Sequence, residues 1–121
     1  MYHLTITEHF SAAHQLKGYQ GSCEALHGHN WKVDVEVYGE EVDEIGMLID
    51  FKDLKAIVLS VLSRLDHTFL NDLGLFRDAN PSSELLARHI FRSVAGKVPS
   101  KVSVGSVTVW ESDSARARYC E

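Results

Sequence analysis

Between His27 and Val37 every second residue is an imidazole or an apolar side chain. His27, His29, Trp31, Val33, Val35 and Val37 share one parity, and Asn30, Lys32, Asp34 and Glu36 share the other. Successive side chains of an extended strand point to opposite faces, so this period of two marks a strand with one buried side. The first residues repeat it. Tyr2, Leu4 and Ile6 alternate with His3, Thr5 and Thr7, and the same parity runs on through Phe10 and Ala12 to His14. A chain that begins this way must build its core against one face of a sheet. Both patterns carry histidines on the side that the apolar residues choose.

The middle of the chain changes period. Asp50 is a good N-cap, and Phe51, Leu54, Ile57, Val58, Val61, Leu62 and Leu65 follow at steps of three and four. That spacing predicts an amphipathic helix over about 51 to 64. Asn80-Pro81-Ser82-Ser83-Glu84 opens a second helix, with a serine as cap and Glu84 in the electropositive first turn. Its buried stripe is Leu86, Ala87, Ile90, Phe91 and Val94, with His89 on the polar flank and Gly96 and Pro99 at its end. Extended structure then returns. Val102 and Val104 share one parity, and Val107, Val109 and Glu111 share the other. The switch at Gly105-Ser106 predicts a bulge or a strand start. Ala115, Ala117 and Tyr119 alternate with Arg116 and Arg118 in a short last strand. Strands in two pairs around two helices predict an α+β architecture: a four-stranded antiparallel sheet with both helices on one face, in one domain over 1–121.

Residues 17–25 read as a loop, and chemistry gathers around it. His27 and His29 project from one face, and glycine at 28 leaves the backbone open to a metal or ligand. His14 alone would be a core histidine. Beside the pair it becomes a third ligand, and three imidazoles with an open fourth position suit a catalytic zinc. Cys23, close to such a cation, would lose its proton readily and serve as base or nucleophile. Asp66-His67 reads equally as a surface pair at a helix end or as a proton relay. Glu111 continues an apolar face, where a carboxylate needs a partner. Ser82 and Ser83 are caps before they are ligand contacts.

Bulk properties narrow the class. The 121-residue chain carries a formal charge of -5, which argues against a nucleic-acid partner. Its first residues lack the basic-then-apolar pattern of a signal peptide, and no apolar run approaches a membrane span. Two cysteines, Cys23 and Cys120, make no disulfide framework, and a reactive thiol fits a reducing, cytoplasmic setting.

Six segments resemble the 6-pyruvoyltetrahydropterin synthase family: Phe-Ser-Ala-Ala-His (10–14), Cys-Glu-Ala-Leu-His-Gly-His-Asn (23–30), Ile-Asp-Phe-Lys-Asp-Leu-Lys (49–55), Leu-Asp-His-Thr-Phe-Leu-Asn (65–71), Asn-Pro-Ser-Ser-Glu (80–84) and Val-Trp-Glu (109–111). The bacterial 6-carboxy-5,6,7,8-tetrahydropterin synthase branch of queuosine biosynthesis is the most similar. The resemblance implies the tunnelling fold, with subunits joined into a trimeric barrel and two trimers stacked as a homohexamer whose active sites lie between subunits. It implies zinc on His14, His27 and His29, catalysis by Cys23 with Asp66 and His67, and Glu111 holding the guanidine-like edge of a pterin. The substrate it implies is 7,8-dihydroneopterin triphosphate, converted to the 6-carboxy product with release of acetaldehyde and triphosphate. Lys17, Lys32, Arg116 and Arg118 are unranked candidates for the triphosphate. Some relatives in folate synthesis use a glutamate just before His-Gly-His in place of the cysteine. Glu24 therefore leaves a 6-hydroxymethyl-dihydropterin product as an alternative, beside the 6-pyruvoyl product. The two helices speak against a cupin-like metal enzyme, the first rival reading, and a tunnelling-fold protein that binds a pterin or purine without turnover is the non-enzymatic alternative.

Overall fold

The computed structural model describes residues 1–18 and 25–121. Strand β1 (Tyr2–His14) pairs antiparallel with β2 (His27–Gly39) along its whole length, from Tyr2 opposite Gly39 to His14 opposite His27. Helix α1 (Phe51–Leu62), the two-residue strand β3 (Thr68–Phe69), helix α2 (Ser83–Ala95), β4 (Ser103–Ser112) and β5 (Ala115–Tyr119) follow. The sheet order is β3-β1-β2-β4-β5. Four of these strands are antiparallel neighbours, as the alternation predicts. The fifth, β3, runs parallel to β1 over Ala12 and Ala13 only. Two residues are too few to carry a period, and this is why the sequence gives no sign of it.

The even residues of β1 from Phe10 onward and the odd residues of β2 from Trp31 to Val37 are buried, together with Val107 and Val109 of β4. Leu54, Val58, Val61 and Leu62 of α1 and Leu86, Ala87, Ile90, Phe91 and Val94 of α2 cover that face. Asp50 caps α1 by accepting from the Lys52 backbone N–H at 2.8 Å, and Ser82 caps α2 by accepting from Leu85. Helix α1 ends at Leu62, two residues short of the expected end, where Ser63 bonds back to Leu59. Gly39 is needed for packing: a β-carbon there would run into Leu48 Cδ1 and meet the Lys101 carbonyl at 2.9 Å.

Two register shifts shape β4. Glu36 faces Ser106 while Val37 faces Val104, so Gly105 is the extra residue of a bulge at the expected place. A second shift falls between Trp110 and Ser112, at Glu111. The opposite face of the sheet is polar. Asp34 accepts from Thr7 and from the Trp110 indole, and Lys32 and Arg116 lie over the Trp110 ring at 4.0 and 4.4 Å. No helix among the described residues is long and apolar enough to cross a membrane.

Candidate metal centre

The β1–β2 register sets His14 across from His27 and Ala12 across from His29, and shared parity turns all three imidazoles to the core face. Their rings meet edge to face, with centroids 4.6 to 5.2 Å apart. Trp31, fully buried, forms the floor, 5.0 Å from both His14 and His29. Its indole N–H donates to the Ala12 carbonyl at 3.3 Å.

Backbone carbonyls fix the tautomers. His14 Nδ1 lies 2.8 Å from the carbonyl oxygen of Pro81, and His27 Nδ1 lies 2.8 Å from that of Ala25. A carbonyl only accepts, so each Nδ1 carries the proton and each Nε2 of the neutral ring presents a lone pair. Those two Nε2 atoms stand 3.0 Å apart. His29 Nε2 is buried without a hydrogen bond, although Glu111 Oε1 lies 3.0 Å away. Burial first, with the neighbouring His27 and His14 and against the pull of the Glu111 carboxylate, lowers the pKa of His29, which favours its neutral, metal-binding form. The same Glu111 oxygen is 3.4 Å from His14 Nε2 and 3.9 Å from His27 Nε2. The four donor atoms lie within 4.8 Å of one another. Lone pairs and a carboxylate turned toward one point need a cation, and three nitrogens with one oxygen suit a divalent ion of the zinc type.

Glu111 is therefore closer to the histidines than its expected role required. The bulge gives β4 one extra residue there, a local distortion that re-aims a side chain. Beside it lies a pocket of about 260 Å³, whose lining includes His14, Ser82, Ser83, Glu84 and Glu111. Sequence reading took Ser82 and Ser83 as caps and gave Glu84 only a first-turn role. The Pro81–His14 bond brings that helix start to the site, and no local pattern reports such a contact.

Asp66 and His67 sit elsewhere. Asp66 Oδ1 accepts from the Ser11 backbone N–H at 2.9 Å and lies 3.0 Å from His67 Nδ1. The Ser11 N–H, and then His67, hold the Asp66 carboxyl below the usual carboxylate range. His67 adopts a left-handed backbone, φ 57°, donates its own N–H to the Ser11 carbonyl, and leaves its side chain 82% exposed. Among the described residues, the pair's bonds run to Ser11, to the Leu62 carbonyl and to each other, and none reaches the three histidines. Cys23 and Glu24 lie outside the described residues. Gly28 is less constrained than expected: a β-carbon there would meet only the Ala12 carbonyl, at 3.8 Å. Its parity turns it away from the histidines, so it leaves no extra room beside them. Of the candidate phosphate ligands, Lys17 lines a separate pocket of about 370 Å³ with Arg77, and Lys32 lies on the polar face over Trp110. Arg116 also reaches Trp110, and it lines the pocket beside Glu111.

A two-helix α+β chain with three sheet-borne histidines facing one point belongs to the tunnelling-fold class of pterin-type enzymes. Within that class the chain is a member of the 6-pyruvoyl tetrahydropterin synthase family, which its sequence matches over residues 3–121. It is 42% identical to the 6-carboxy-5,6,7,8-tetrahydropterin synthase of Synechocystis, over 91% of this chain and 86% of that one. It is 32% identical to the Haemophilus influenzae protein of the same name, over 93% and 94% of the two chains. Its fold superposes on the 6-pyruvoyl tetrahydropterin synthase of Caenorhabditis elegans with a TM-score of 0.85, at 27% identity, over 99% and 95% of the chains.

Proposed function

We propose that this protein is a zinc-dependent 6-carboxy-5,6,7,8-tetrahydropterin synthase, converting 7,8-dihydroneopterin triphosphate and one water to the 6-carboxy product, acetaldehyde and triphosphate. The observation that carries the reading is the convergence of His14, His27 and His29, with two of their Nδ1 protons held on the Pro81 and Ala25 carbonyls. The two 6-carboxytetrahydropterin synthases at 42% and 32% identity supply the choice of branch.

His14, His27 and His29 would hold a divalent ion, which would supply Lewis acidity to the oxygens of the substrate side chain. The remaining work belongs to the chain. Glu111 and Glu84 line the pocket beside the histidines, and a carboxylate there can accept two parallel N–H bonds from the guanidine-like edge of a pterin. Cys23, as thiolate, accepts a proton from the substrate side chain. His67 moves a second proton, and Asp66 orients its ring through Nδ1.

The complete site is assembled between subunits, a reading supported by the bonds of Asp66 and His67, none of which, among the described residues, reaches the histidines of their own chain. The sheet supports this. The outer edge of β1 is paired by β3 only at Ala12 and Ala13, and β5 is the opposite edge. Edge-to-edge joining into a closed trimeric barrel, stacked as a homohexamer, satisfies both edges. The same reading makes 1–121 one catalytic domain and the enzyme cytoplasmic, in queuosine biosynthesis.

The test is mass spectrometry of the products formed from 7,8-dihydroneopterin triphosphate, with metal analysis of the same sample. The 6-carboxy product with about one zinc per chain supports the proposal. A 6-pyruvoyl product, or 6-hydroxymethyl-dihydropterin through Glu24, moves the protein to another branch. Binding without release of triphosphate makes it a pterin-binding protein.

A further inference from the structure

Glu111 stands where two roles meet, and the second of them goes beyond substrate recognition. Its Oε1 lies 3.0 Å from His29 Nε2, 3.4 Å from His14 Nε2 and 3.9 Å from His27 Nε2. Donor atoms around a zinc with bonds of about 2.0–2.2 Å are separated by roughly 3.3–3.5 Å in a tetrahedron. These spacings, with the 3.0 Å between His14 and His27, fall on either side of that value, in a group whose donor atoms all lie within 4.8 Å of one another. A purely hydrogen-bonding role fits poorly. His14 and His27 spend their single ring protons on the Pro81 and Ala25 carbonyls, and His29 Nε2 makes no hydrogen bond to the carboxylate it faces. A carboxylate oxygen beside the two Nε2 lone pairs of His14 and His27 is stabilised by a cation placed between them.

We propose that Glu111 is the fourth protein ligand of the metal in the substrate-free enzyme, and that it leaves the metal for the pocket when a pterin ring enters. The bulge at Glu111 and its half-exposed side chain let one carboxylate serve both places, since it borders the histidine cluster and the pocket alike. The free enzyme then holds its metal with four protein donors, the arrangement of a closed structural site, and the position for substrate oxygens opens only when the ring has docked. Ring binding and opening of the metal are one event, so a phosphate ester without the ring gains no access. The release of the carboxylate rests on the pterin reading above. Its ligation in the free enzyme does not.

Metal affinity separates the two. Metal-free protein is titrated with zinc against a chromophoric chelator for the native sequence, E111Q and E111D, with the hexamer and its circular dichroism checked for each. Ligation predicts that both variants lose about tenfold or more in affinity, because Gln removes the charged donor and Asp falls a methylene short. If E111Q keeps the native affinity, the proposal fails. If E111D alone keeps it, the carboxylate acts through charge at a distance, and ligation fails equally. A second readout needs no variant. The visible spectrum of the cobalt-substituted native protein is recorded with saturating pterin that lacks the side chain, so that no ligand oxygen can reach the metal. A changed spectrum supports release of Glu111, and an unchanged one overturns it. None of these measurements uses turnover, so a failure to form the 6-carboxy product leaves them readable.

Discussion

The residues of the site divide into those that would hold the metal and those that would move protons, and substitution should separate them. His27→Ala should lose bound zinc on desalting and lose activity with it. Cys23→Ser should keep the zinc and lose about 10²–10⁴ in turnover, the usual worth of a general acid or base. Metal analysis beside steady-state rates distinguishes the two, and a Cys23→Ser protein that sheds zinc would move the thiol into the coordination sphere. Asp66 gives a pH signature. Its folded pKa lies below the unfolded value near 3.8, so the unfolded chain takes up the proton first as the solution is acidified. The stability it contributes is present above that value and lost as pH falls through the folded pKa. Asp66→Asn should therefore lower urea resistance at neutral pH toward its acid value and flatten the further loss below about pH 4. An acid limb as steep as the parent's would show that the Ser11 and His67 contacts do not hold the carboxylate in solution.

At the scale of elements, the segment leaving β1 is held by side chains that imitate strand partners. Asn71 accepts from the Gln15 N–H and donates to the Gln15 carbonyl at 2.8 and 2.7 Å, and Asn80 does the same for Lys17. These two amides extend the pairing of β1 past His14 as far as Lys17. Asn71→Ala removes both bonds at a half-buried position and should cost about 1–3 kcal/mol in urea unfolding. Asn80→Ala, at an exposed position, should cost less. Between the helices, His89 is half-buried, and burial first, then the charge of Arg64, lower its pKa below 6.5. The unfolded chain binds that proton first, so the stability His89 confers is complete above 6.5 and declines as pH falls toward the folded pKa. The difference in thermal midpoint between about pH 7.5 and pH 5.5 should shrink in His89→Gln, and an unchanged difference would put the ring in water.

At the scale of the whole molecule, the separation of Asp66–His67 from the histidine cluster has a direct consequence. If a site takes its imidazoles from one subunit and its proton-transfer pair from another, two inactive variants can restore each other. Mixed oligomers of His27→Ala and His67→Ala should contain some sites with both halves intact and recover part of the native activity, while each variant alone stays inactive. No recovery in verified mixed oligomers would place the whole site within one chain. The open edges of β1 and β5 also predict that the protein sediments as an oligomer, and that breaking it abolishes turnover.

What the residues alone disclose is what has a period or a local chemistry. The two alternating strands, the shared parity of His14, His27 and His29, both helix stripes, the caps at Asp50 and Ser82 and the bulge at Gly105 are short-range patterns, and the chain adopts them. The two-residue strand β3, the left-handed backbone at His67 and the bulge at Glu111 are not legible that way, because each depends on which distant segment lies alongside. Tertiary structure alone decided that Pro81 orients His14, that the start of α2 borders the metal centre, and that Glu111 turns toward the imidazoles. Those contacts join residues far apart in the chain, and no spacing along it encodes their meeting.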